Sequence, residues 1–331
     1  MRSGGMGIER YGKIDLHLHL DGSLPAETIF KLAQRESVEL PADTADGLRS
    51  YLTAGINCES LNEYLKCFDL PLAVLQTAEN LDLAAYELGL ELWRKGLCYG
   101  EIRFAPQLHR QKGLTQEDAV QAVLSGLGRA ASESRKGRGK SGIRLRTILC
   151  CMRGSGLHEA NLETVRAASR YLGKGVAAVD LAGAEALYPT GDYEEEFRFA
   201  RSLGVPFSIH AGEADGAQSI RKALEFGALR IGHGVRAIED EELMEELAER
   251  GCVLEMCPSS NLQTKAVKSL SEYPLRTYLD RGIKVTVNSD NMTVSDTWVG
   301  KEFALLSQEY GLTEDEAGKL LENAEKAAFG M

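Results

Sequence analysis

The sequence predicts an α/β fold, specifically a (β/α)8 TIM barrel. Two observations lead to this prediction: eight mostly apolar runs recur along the 331 residues, and segments with helical periodicity separate most of them. Strands that are each followed by a helix are typical of this barrel. Such barrels reach this length as one unit, so we expect 1–331 to form a single domain.

The predicted strands and helices alternate along the chain. The strands are 14–20, 98–105, 143–152, 176–181, 206–210, 229–233, 252–256 and 283–288. Between them, apolar residues recur at the spacing that places them on one face of a helix. The predicted helices are 117–133, 159–172, 193–203, 218–226 and 240–249.

Two segments depart from this simple alternation. The interval of about 24–95 is too long for one crossover and predicts a helical insertion after the first strand, in a position to cap the barrel mouth. The tail, 297–329, predicts two extra C-terminal helices. We find no Pro/Ser-rich linker and therefore place no domain boundary.

The composition excludes several classes of protein. The 38 basic and 49 acidic side chains give a net charge of −11, which would repel a nucleic acid. A small neutral or cationic substrate fits this charge better. The charged fraction of 26% and the hydrophobic fraction of 44% are ordinary for a globular protein and exclude a disordered chain. The sequence carries no signal of oligomeric state.

The cysteines and the apolar runs predict where the protein is found. The seven cysteines have no Cys-x-x-Cys spacing, and several lie in apolar runs, where a reduced buried thiol is the ordinary interpretation. No apolar stretch approaches the roughly 18 residues of a membrane span, and the first residues do not resemble a signal peptide. We expect a cytoplasmic protein without a membrane segment.

Four of the six histidines lie where a predicted strand ends. His17 and His19 are near the end of the first strand, His210 ends the fifth and His233 ends the sixth, while Asp290 follows the eighth. Barrel enzymes carry their catalytic residues at the C-terminal ends of the strands and in the loops that follow. The five side chains are therefore predicted to converge on one face of the barrel.

Three of these histidines and the aspartate form a candidate metal site. On a strand, His17 and His19 project to the same face, and His210 and Asp290 complete a His3Asp set that leaves a position for water. Zinc suits these ligands best, although Fe²⁺, Co²⁺ or Mn²⁺ could bind them. Core histidines held by hydrogen bonds, and a turn role for Asp290, are the alternatives.

Two further residues suit proton transfer. Glu213 lies three residues beyond His210, and a carboxyl in a closed pocket has a raised pKa and can donate a proton. His233, between two glycines, is placed to orient or deprotonate a water molecule that the metal activates. The alternatives are a surface glutamate and a core histidine bonded to a carbonyl.

Five motifs in this order resemble the adenosine deaminase family of the amidohydrolase superfamily. They span nearly the whole chain: Asp-Leu-His-Leu-His-Leu-Asp-Gly at 15–22, Asp-Leu-Ala-Gly at 180–183, His-Ala-Gly-Glu at 210–213, Gly-His-Gly at 232–234 and Asn-Ser-Asp at 288–290. Each motif is weakly specific alone. Together, with this order and spacing, they are strongly specific.

The resemblance implies a zinc barrel, with one ion per chain, that hydrolyses adenosine, and with it 2′-deoxyadenosine, to inosine and ammonia in purine salvage. The implied metal ligands are His17, His19, His210 and Asp290, the implied proton donor to purine N1 is Glu213, and His233 would act on the water. The implied substrate contacts are Gly183 to N3, Asn291 to N7, Asp21 with His19 to the ribose 5′-hydroxyl, and Tyr64 and Phe68 as pocket walls. For the two aromatic residues, plain helix packing is the alternative.

Other functions stay open at this point. Relatives that act on adenine or aminofutalosine tend to carry Glu where this chain has Asp21, so the sequence favours a nucleoside. A binuclear amidohydrolase would need a carboxylated Lys or a bridging Glu at the end of the fourth strand, where this chain has the motif at 180–183. A catalytically silent binding homologue is the non-enzyme alternative.

Asn291 departs from the family pattern and generates a prediction. The best-known members of the family have a second aspartate here, which must be protonated to donate to purine N7, whereas the amide of Asn291 can always donate. We expect Asn291→Leu to raise KM and lower turnover for adenosine in steady-state assays. Unchanged values of both constants would contradict a role for Asn291 in purine recognition.

Overall fold

The parallel strands of the computed structural model form the inner wall of a barrel. The structure describes residues 7–55, 58–136 and 142–331. The strands are β1 (Ile14–His19), β2 (Tyr99–Phe104), β3 (Arg144–Met152), β4 (Val176–Ala182), β5 (Ser208–Ala211), β6 (Arg230–His233), β7 (Val253–Met256) and β8 (Lys284–Val287). Each predicted run overlaps one of these strands, with bounds that agree within two residues. The predicted barrel is confirmed.

Two sets of four parallel strands join to close the barrel. Strands β1 to β4 pair in order, and β5 to β8 pair in order. Val179 and Phe207 bridge β4 to β5, and Leu18 and Asp290 bridge the far edges of the two sets. At this second junction, His19 N donates to Asp290 O over 2.8 Å, and Asp290 N donates to His17 O over 2.8 Å. The closure therefore places Asp290 beside the histidines of β1.

Helices surround the barrel and cover its ends. They are α1 (Ala26–Glu36), α2 (Ala45–Leu52), α3 (Leu61–Tyr64), α4 (Asp69–Val74), α5 (Ala78–Arg94), α6 (Gln116–Ser134), α7 (His158–Tyr171), α8 (Glu194–Ser202), α9 (Ala217–Phe226), α10 (Glu241–Arg250), α11 (Pro258–Gln263), α12 (Leu275–Asp280), α13 (Val299–Leu305) and α14 (Glu314–Ala327). No helix within the described ranges is both long and apolar enough to cross a membrane.

The insertion and the C-terminal helices occur as predicted. Helices α1 to α5 lie between β1 and β2. The last of them, α5, packs along α6 and leads the chain into β2, so it serves as the crossover helix of the first βα unit. In the tail, α13 continues into a π-helical turn, Leu306–Tyr310, and α14 packs against β8 and β1. The C-terminal helix therefore covers β1 and β8, the two strands at which the barrel closes.

Capping side chains mark the first turn of two helices, α6 and α14. At the start of α6, the side chain of Thr115 accepts a hydrogen bond from Asp118 N, and the Asp118 carboxylate accepts one from Thr115 N. Thr313 and Glu316 form the same capping box at the start of α14. These side chains satisfy backbone N–H groups that the first helical turn leaves without partners.

Alternation along β1 separates the core from the site. Leu16, Leu18 and Leu20 are fully buried among the surrounding helices. His17 and His19, at the positions between them, point into the barrel, as a period of two requires. One continuous cluster of buried apolar side chains contains residues from both sets of strands, from Leu18 to Leu320.

A buried ion-pair cluster holds the opposite end of the barrel. Arg230, at the start of β6, is 1% exposed, and its guanidinium lies 2.6 Å from both Glu101 Oε2 and Glu255 Oε1. It also donates to Ala327 O and stacks on the ring of Phe329, 3.8 Å from the centroid. Arg230 therefore connects the C-terminal residues to this end of the barrel.

This cluster predicts a large effect for one substitution. Arg230→Met keeps the length of the side chain but leaves two carboxylates in a buried site without this cation, so we expect the free energy of unfolding to fall by about 3 kcal/mol or more. Arg281→Met is the matched control, because Arg281 pairs with Glu241 at the surface and contributes less than about 1 kcal/mol. Thermal and urea unfolding measure both. Equal losses in the two variants would contradict the assignment.

Candidate active site

The polar side chains predicted to converge do meet at the C-terminal ends of the strands. The ring of His17 lies 5.4 Å from that of His19, 4.5 Å from that of His210 and 4.9 Å from that of His233, measured between centroids. Asp290 Oδ1 is 3.5 Å from His17 Nε2 and 3.4 Å from His19 Nε2. His19 Nε2 and His210 Nε2 are 3.2 Å apart. Five groups that can bind a metal thus share one small volume.

Two of these groups sit on unusual backbone. His233 has φ 64° and Asp290 has φ 59°, in the left-handed region that non-glycine residues rarely adopt. Such conformations cost of order 1–3 kcal/mol and cluster at functional sites. Here they turn the two side chains inward just as their strands end.

Carboxylates bind the Nδ1 atoms of His17 and His210 and so direct the Nε2 atoms of both rings into the cluster. His17 Nδ1 lies 2.9 Å from Glu255 Oε2, and His210 Nδ1 lies 2.8 Å from Asp180 Oδ2. A carboxylate accepts a proton on Nδ1, so each Nε2 keeps its lone pair. Among the described residues, the buried His17 Nε2 has no hydrogen-bond partner. These features fit a bound divalent cation.

Distance alone would also admit His233 as a metal ligand. The ligand atoms of His17, His210, His233 and Asp290 all lie within 4.8 Å of one another. His19, 12% exposed on its side chain, meets two of the same groups from the cavity side. The choice between His19 and His233 must therefore come from their hydrogen bonds.

The hydrogen bonds of Asn261 determine which ring nitrogen of His233 carries the proton. Asn261 Oδ1 accepts from Cys257 N and from the Tyr273 hydroxyl, so its Nδ2 donates to His233 Nδ1 over 3.0 Å. Burial lowers the pKa of His233 well below its usual value, which keeps the ring neutral with its proton on Nε2. An Nε2–H group donates a hydrogen bond and cannot bind a metal. His19 is therefore the better fourth ligand.

One buried arginine holds the two carboxylates behind the histidines. Arg103 is fully buried and donates to Asp180 Oδ2 over 3.1 Å and to Glu255 Oε2 over 2.9 Å. Burial opposes ionisation of Glu255, but Arg103 and Arg230 outweigh it and hold the pKa of this carboxyl well below its usual range. Both carboxylates stay charged and can accept the Nδ1 protons of their histidines.

Glu213 faces the cluster from the turn after β5. It is 5% exposed, its Oε1 accepts from the Thr264 hydroxyl over 2.9 Å, and its Oε2 lies 3.4 Å from His233 Nε2. Burial, with a further contribution from the charge of Asp290, raises the pKa of Glu213 well above its usual value. The raised pKa favours the protonated carboxyl, which can donate a proton into the cavity.

A cavity of about 300 Å³ opens beside the cluster. Its size is within the range of small-molecule sites. All the residues expected to contact substrate line it, together with most of the candidate ligands and both proton-transfer residues: His19, Asp21, Tyr64, Phe68, Gly183, His210, Glu213, His233, Asp290 and Asn291. His17 lies beneath the cavity floor, fully buried.

The residues that line the cavity differ in pKa, backbone conformation and hydrogen bonding. Burial raises the pKa of Asp21 to about 6. Gly183 has φ 110°, a conformation that favours glycine. Asn291 is 3% exposed, and its Oδ1 has no hydrogen-bond partner among the described residues. Tyr64 donates to or accepts from Ser295 Oγ over 2.7 Å, so it is both a packed residue and a cavity wall.

Sequence reasoning missed three residues of the site: Arg103, Glu255 and Asn261. Arg103 and Glu255 are charged residues inside apolar strand runs, and this is a usable signal, because a charge is rarely buried without a partner. Asn261 lies in α11 and resembles any polar helix residue. Its role follows only from its contact with His233.

The chain is similar to known proteins over nearly its whole length. The model of the adenosine deaminase family matches residues 12–330. An adenosine deaminase of Haemophilus ducreyi is 51% identical over 98% of this chain and 93% of its own length. The family match spans all the site residues named above, from His17 to Asn291.

Solved structures share the fold. The adenine deaminase of Arthrobacter aurescens superposes with a TM-score of 0.84 at 28% identity, covering 97% of this chain and 94% of its own. An amidohydrolase of Burkholderia ambifaria with bound zinc superposes with a TM-score of 0.85 at 21% identity, covering 99% of this chain and 90% of its own. With a family match over almost its entire length and a relative that shares half its residues, this chain belongs to the adenosine deaminase family.

Proposed function

We propose that this single-domain protein hydrolyses adenosine, and also 2′-deoxyadenosine, to inosine and ammonia in purine salvage. It is a hydrolase of C–N bonds that acts on a purine and contains one divalent metal site. One observation carries the proposal: the buried carboxyl of Glu213 lies beside the imidazole cluster at the cavity, 3.4 Å from His233 Nε2, in a chain half identical to an adenosine deaminase. The reaction needs this pairing of an acid with a metal-activated water.

Zinc is the proposed metal, with His17, His19, His210 and Asp290 as its ligands. Three imidazole nitrogens and one carboxylate suit zinc, and Fe²⁺, Co²⁺ or Mn²⁺ could occupy the same set. The zinc of the B. ambifaria amidohydrolase, which shares the fold, supports this choice. When bound, such an ion lowers the pKa of water toward about 7 and so makes a nucleophile available.

The residues of the chain perform the other half of the reaction. Attack at C6 destroys the aromaticity of the purine, so the ring nitrogen N1 must gain a proton as C6 becomes tetrahedral. Glu213 is positioned to donate that proton. When the C6–N6 bond then breaks, the proton of the hydroxyl on C6 passes to the amino group, which leaves as ammonia. His233, with its proton on Nε2, donates a hydrogen bond that orients the attacking oxygen. Of the two roles expected for His233, its contact with Asn261 favours this one over deprotonation of the water.

The remaining cavity residues orient the substrate. Gly183 would hydrogen-bond N3 through its backbone, Asn291 would donate to N7, and Asp21 with His19 would bind the ribose 5′-hydroxyl. Tyr64 and Phe68 would wall the pocket. Their positions around the one cavity support these assignments.

The charges of the cavity favour a nucleoside over a nucleotide. Asp21 would repel a 5′-phosphate. Among the described residues that line the cavity, Arg153 supplies the cationic group, and it already donates to Tyr188 O, Thr190 Oγ1 and His210 O. A phosphate would therefore meet a carboxylate and no available cation.

A deaminase of a related aminopurine is the second candidate. The A. aurescens adenine deaminase, with a TM-score of 0.84, supports it. Asp21 favours the nucleoside, because a short carboxylate leaves room for the ribose. A catalytically silent homologue is a weaker alternative, since the chain retains the acid and the imidazole cluster.

We also place the protein in the cytoplasm. All seven cysteines are free, and five of them are buried. Free thiols persist in a reducing compartment.

A substrate screen tests the proposed function. We expect the purified protein to convert adenosine and 2′-deoxyadenosine to inosine and 2′-deoxyinosine, with kcat/KM for adenine and adenosine monophosphate at least about 100-fold lower. Ultraviolet absorbance follows the conversion, and a chelator-treated sample is the control. Activity on adenine alone would overturn the nucleoside assignment, and inactivity on every aminopurine would overturn the enzyme assignment.

Metal analysis of two histidine variants tests the ligand set. We expect His17→Ala to lose bound metal and activity, because it removes a ligand. His233→Ala should retain about one metal ion per chain and lose at least about 100-fold in kcat, because it removes only a hydrogen-bond donor. His158→Ala, a partly exposed histidine, is the control for both measurements. Loss of metal from His233→Ala would show that His233 is a ligand.

A further inference from the structure

Glu185 is a buried carboxylate to which the proposed reaction assigns no role. It follows β4, two residues after Gly183, and is 2% exposed. In the described part of the chain its charge is met by N–H and O–H donors rather than by a cation at ion-pair distance. A buried charge held in this way needs several hydrogen bonds.

Five donors surround this carboxylate. All of them belong to the turn after β5 or to the first turn of α9. They are the backbone N–H groups of Gly212 (2.7 Å), Glu213 (3.0 Å), Ala214 (2.7 Å) and Asp215 (3.0 Å), and the hydroxyl of Ser219 (2.5 Å). Successive N–H groups that converge in this way form an anion-binding concavity, here filled by a side chain of the same protein.

This arrangement fixes the residue that carries the proton. The N–H of Glu213 and those of its two neighbours point at the same carboxylate, so the backbone on both sides of Glu213 is held. Gly212 has φ 72°, a conformation that favours glycine, and a Cβ there would lie 2.4 Å from Ile220 Cδ1, so the turn packs closely against α9. The side chain of Glu213 is left with one direction, toward Thr264 and His233.

The same carboxylate connects to the end of β5 through two hydroxyls. Ser219 Oγ, which donates to Glu185, lies 2.7 Å from Thr190 Oγ1, and Thr190 Oγ1 accepts from Arg153. Arg153 in turn donates to His210 O over 2.6 Å. The turn from His210 to Asp215 is thus held at its carbonyl end by a buried cation and at its N–H groups by a buried anion.

We propose that Glu185 is the positioning residue for the proton donor: it holds the turn that aims Glu213 into the cavity and does not itself touch the substrate. This inference rests on the proposed function, because it assigns Glu213 to proton donation. It adds a residue that acts through Glu213 and predicts how the two substitutions combine.

A double-mutant cycle tests this proposal. Glu185→Gln presents an amide NH2 to at least one backbone N–H, so the turn loses an acceptor. We expect kcat for adenosine to fall about 10- to 100-fold with KM within about threefold of wild type, the effect of a misplaced catalytic group. Glu213→Gln alone should lower kcat by about 100-fold or more. Adding Glu185→Gln to Glu213→Gln should lower kcat no further, because no proton donor remains to be misplaced.

Two further measurements keep the test independent of activity and of folding. Hydrogen exchange of the amides at 212–215 should accelerate in Glu185→Gln, while metal content stays at the wild-type value. Ser219→Ala removes only the hydroxyl donor, so it preserves the fold, and should lower kcat about fivefold in the wild-type background and not in Glu213→Gln. Glu196→Gln, another buried glutamate 2% exposed, is the matched control and should leave kcat unchanged.

The outcomes separate this proposal from the proposed function. A fall in kcat of equal size in both backgrounds would overturn the positioning role, since Glu185 would then act on stability or on the metal site. An increase in KM with unchanged kcat would overturn it as well. A wild-type protein that does not deaminate adenosine would overturn the proposed function first and the positioning role with it.

Discussion

The site depends on one fully buried guanidinium between two carboxylates. Arg103 bonds to Asp180 and Glu255, and each of these meets the Nδ1 of a histidine. Removing one partner from such a buried set costs about 3–5 kcal/mol, because the other charges lose their compensation. The directions of His17 and His210 are therefore set from beneath the cavity, by residues that no substrate reaches.

Three of the clustered histidines, His17, His210 and His233, differ in what they present to the cavity because of the residues that bind their Nδ1 atoms. A carboxylate behind His17 or His210 accepts a hydrogen bond from the Nδ1–H group, so the lone pair of Nε2 can face a cation. An amide behind His233 donates instead and leaves a proton facing the cavity. The same side chain thus presents either a lone pair or a proton to the cavity, according to one neighbour.

The sequence predicted the parts of the structure that local rules govern. Apolar runs located every strand, and the alternation of β1 together with the strand-end rule located His17, His19, His210, His233 and Asp290. Arg103 and Glu255 lie 152 positions apart, and their pairing depends on the register across the barrel, which no local pattern contains. Glu185 and Asn261 are polar residues outside the strands whose partners are backbone groups or a distant ring, so nothing in their own surroundings marked them. The single-domain organisation and the individual substrate contacts stay predictions.

The junction between the first and last strands has a consequence for assembly. Asp290 forms the backbone bridge to β1 and offers its carboxylate beside the imidazoles of that strand. An ion at this position would fasten the two termini of the barrel wall to each other, so its affinity would add directly to the stability of the folded chain. Release of the ion would weaken the contact between the first and last strands. A chain that ends before 290 would lack both the backbone bridge to β1 and the carboxylate that would bind the ion.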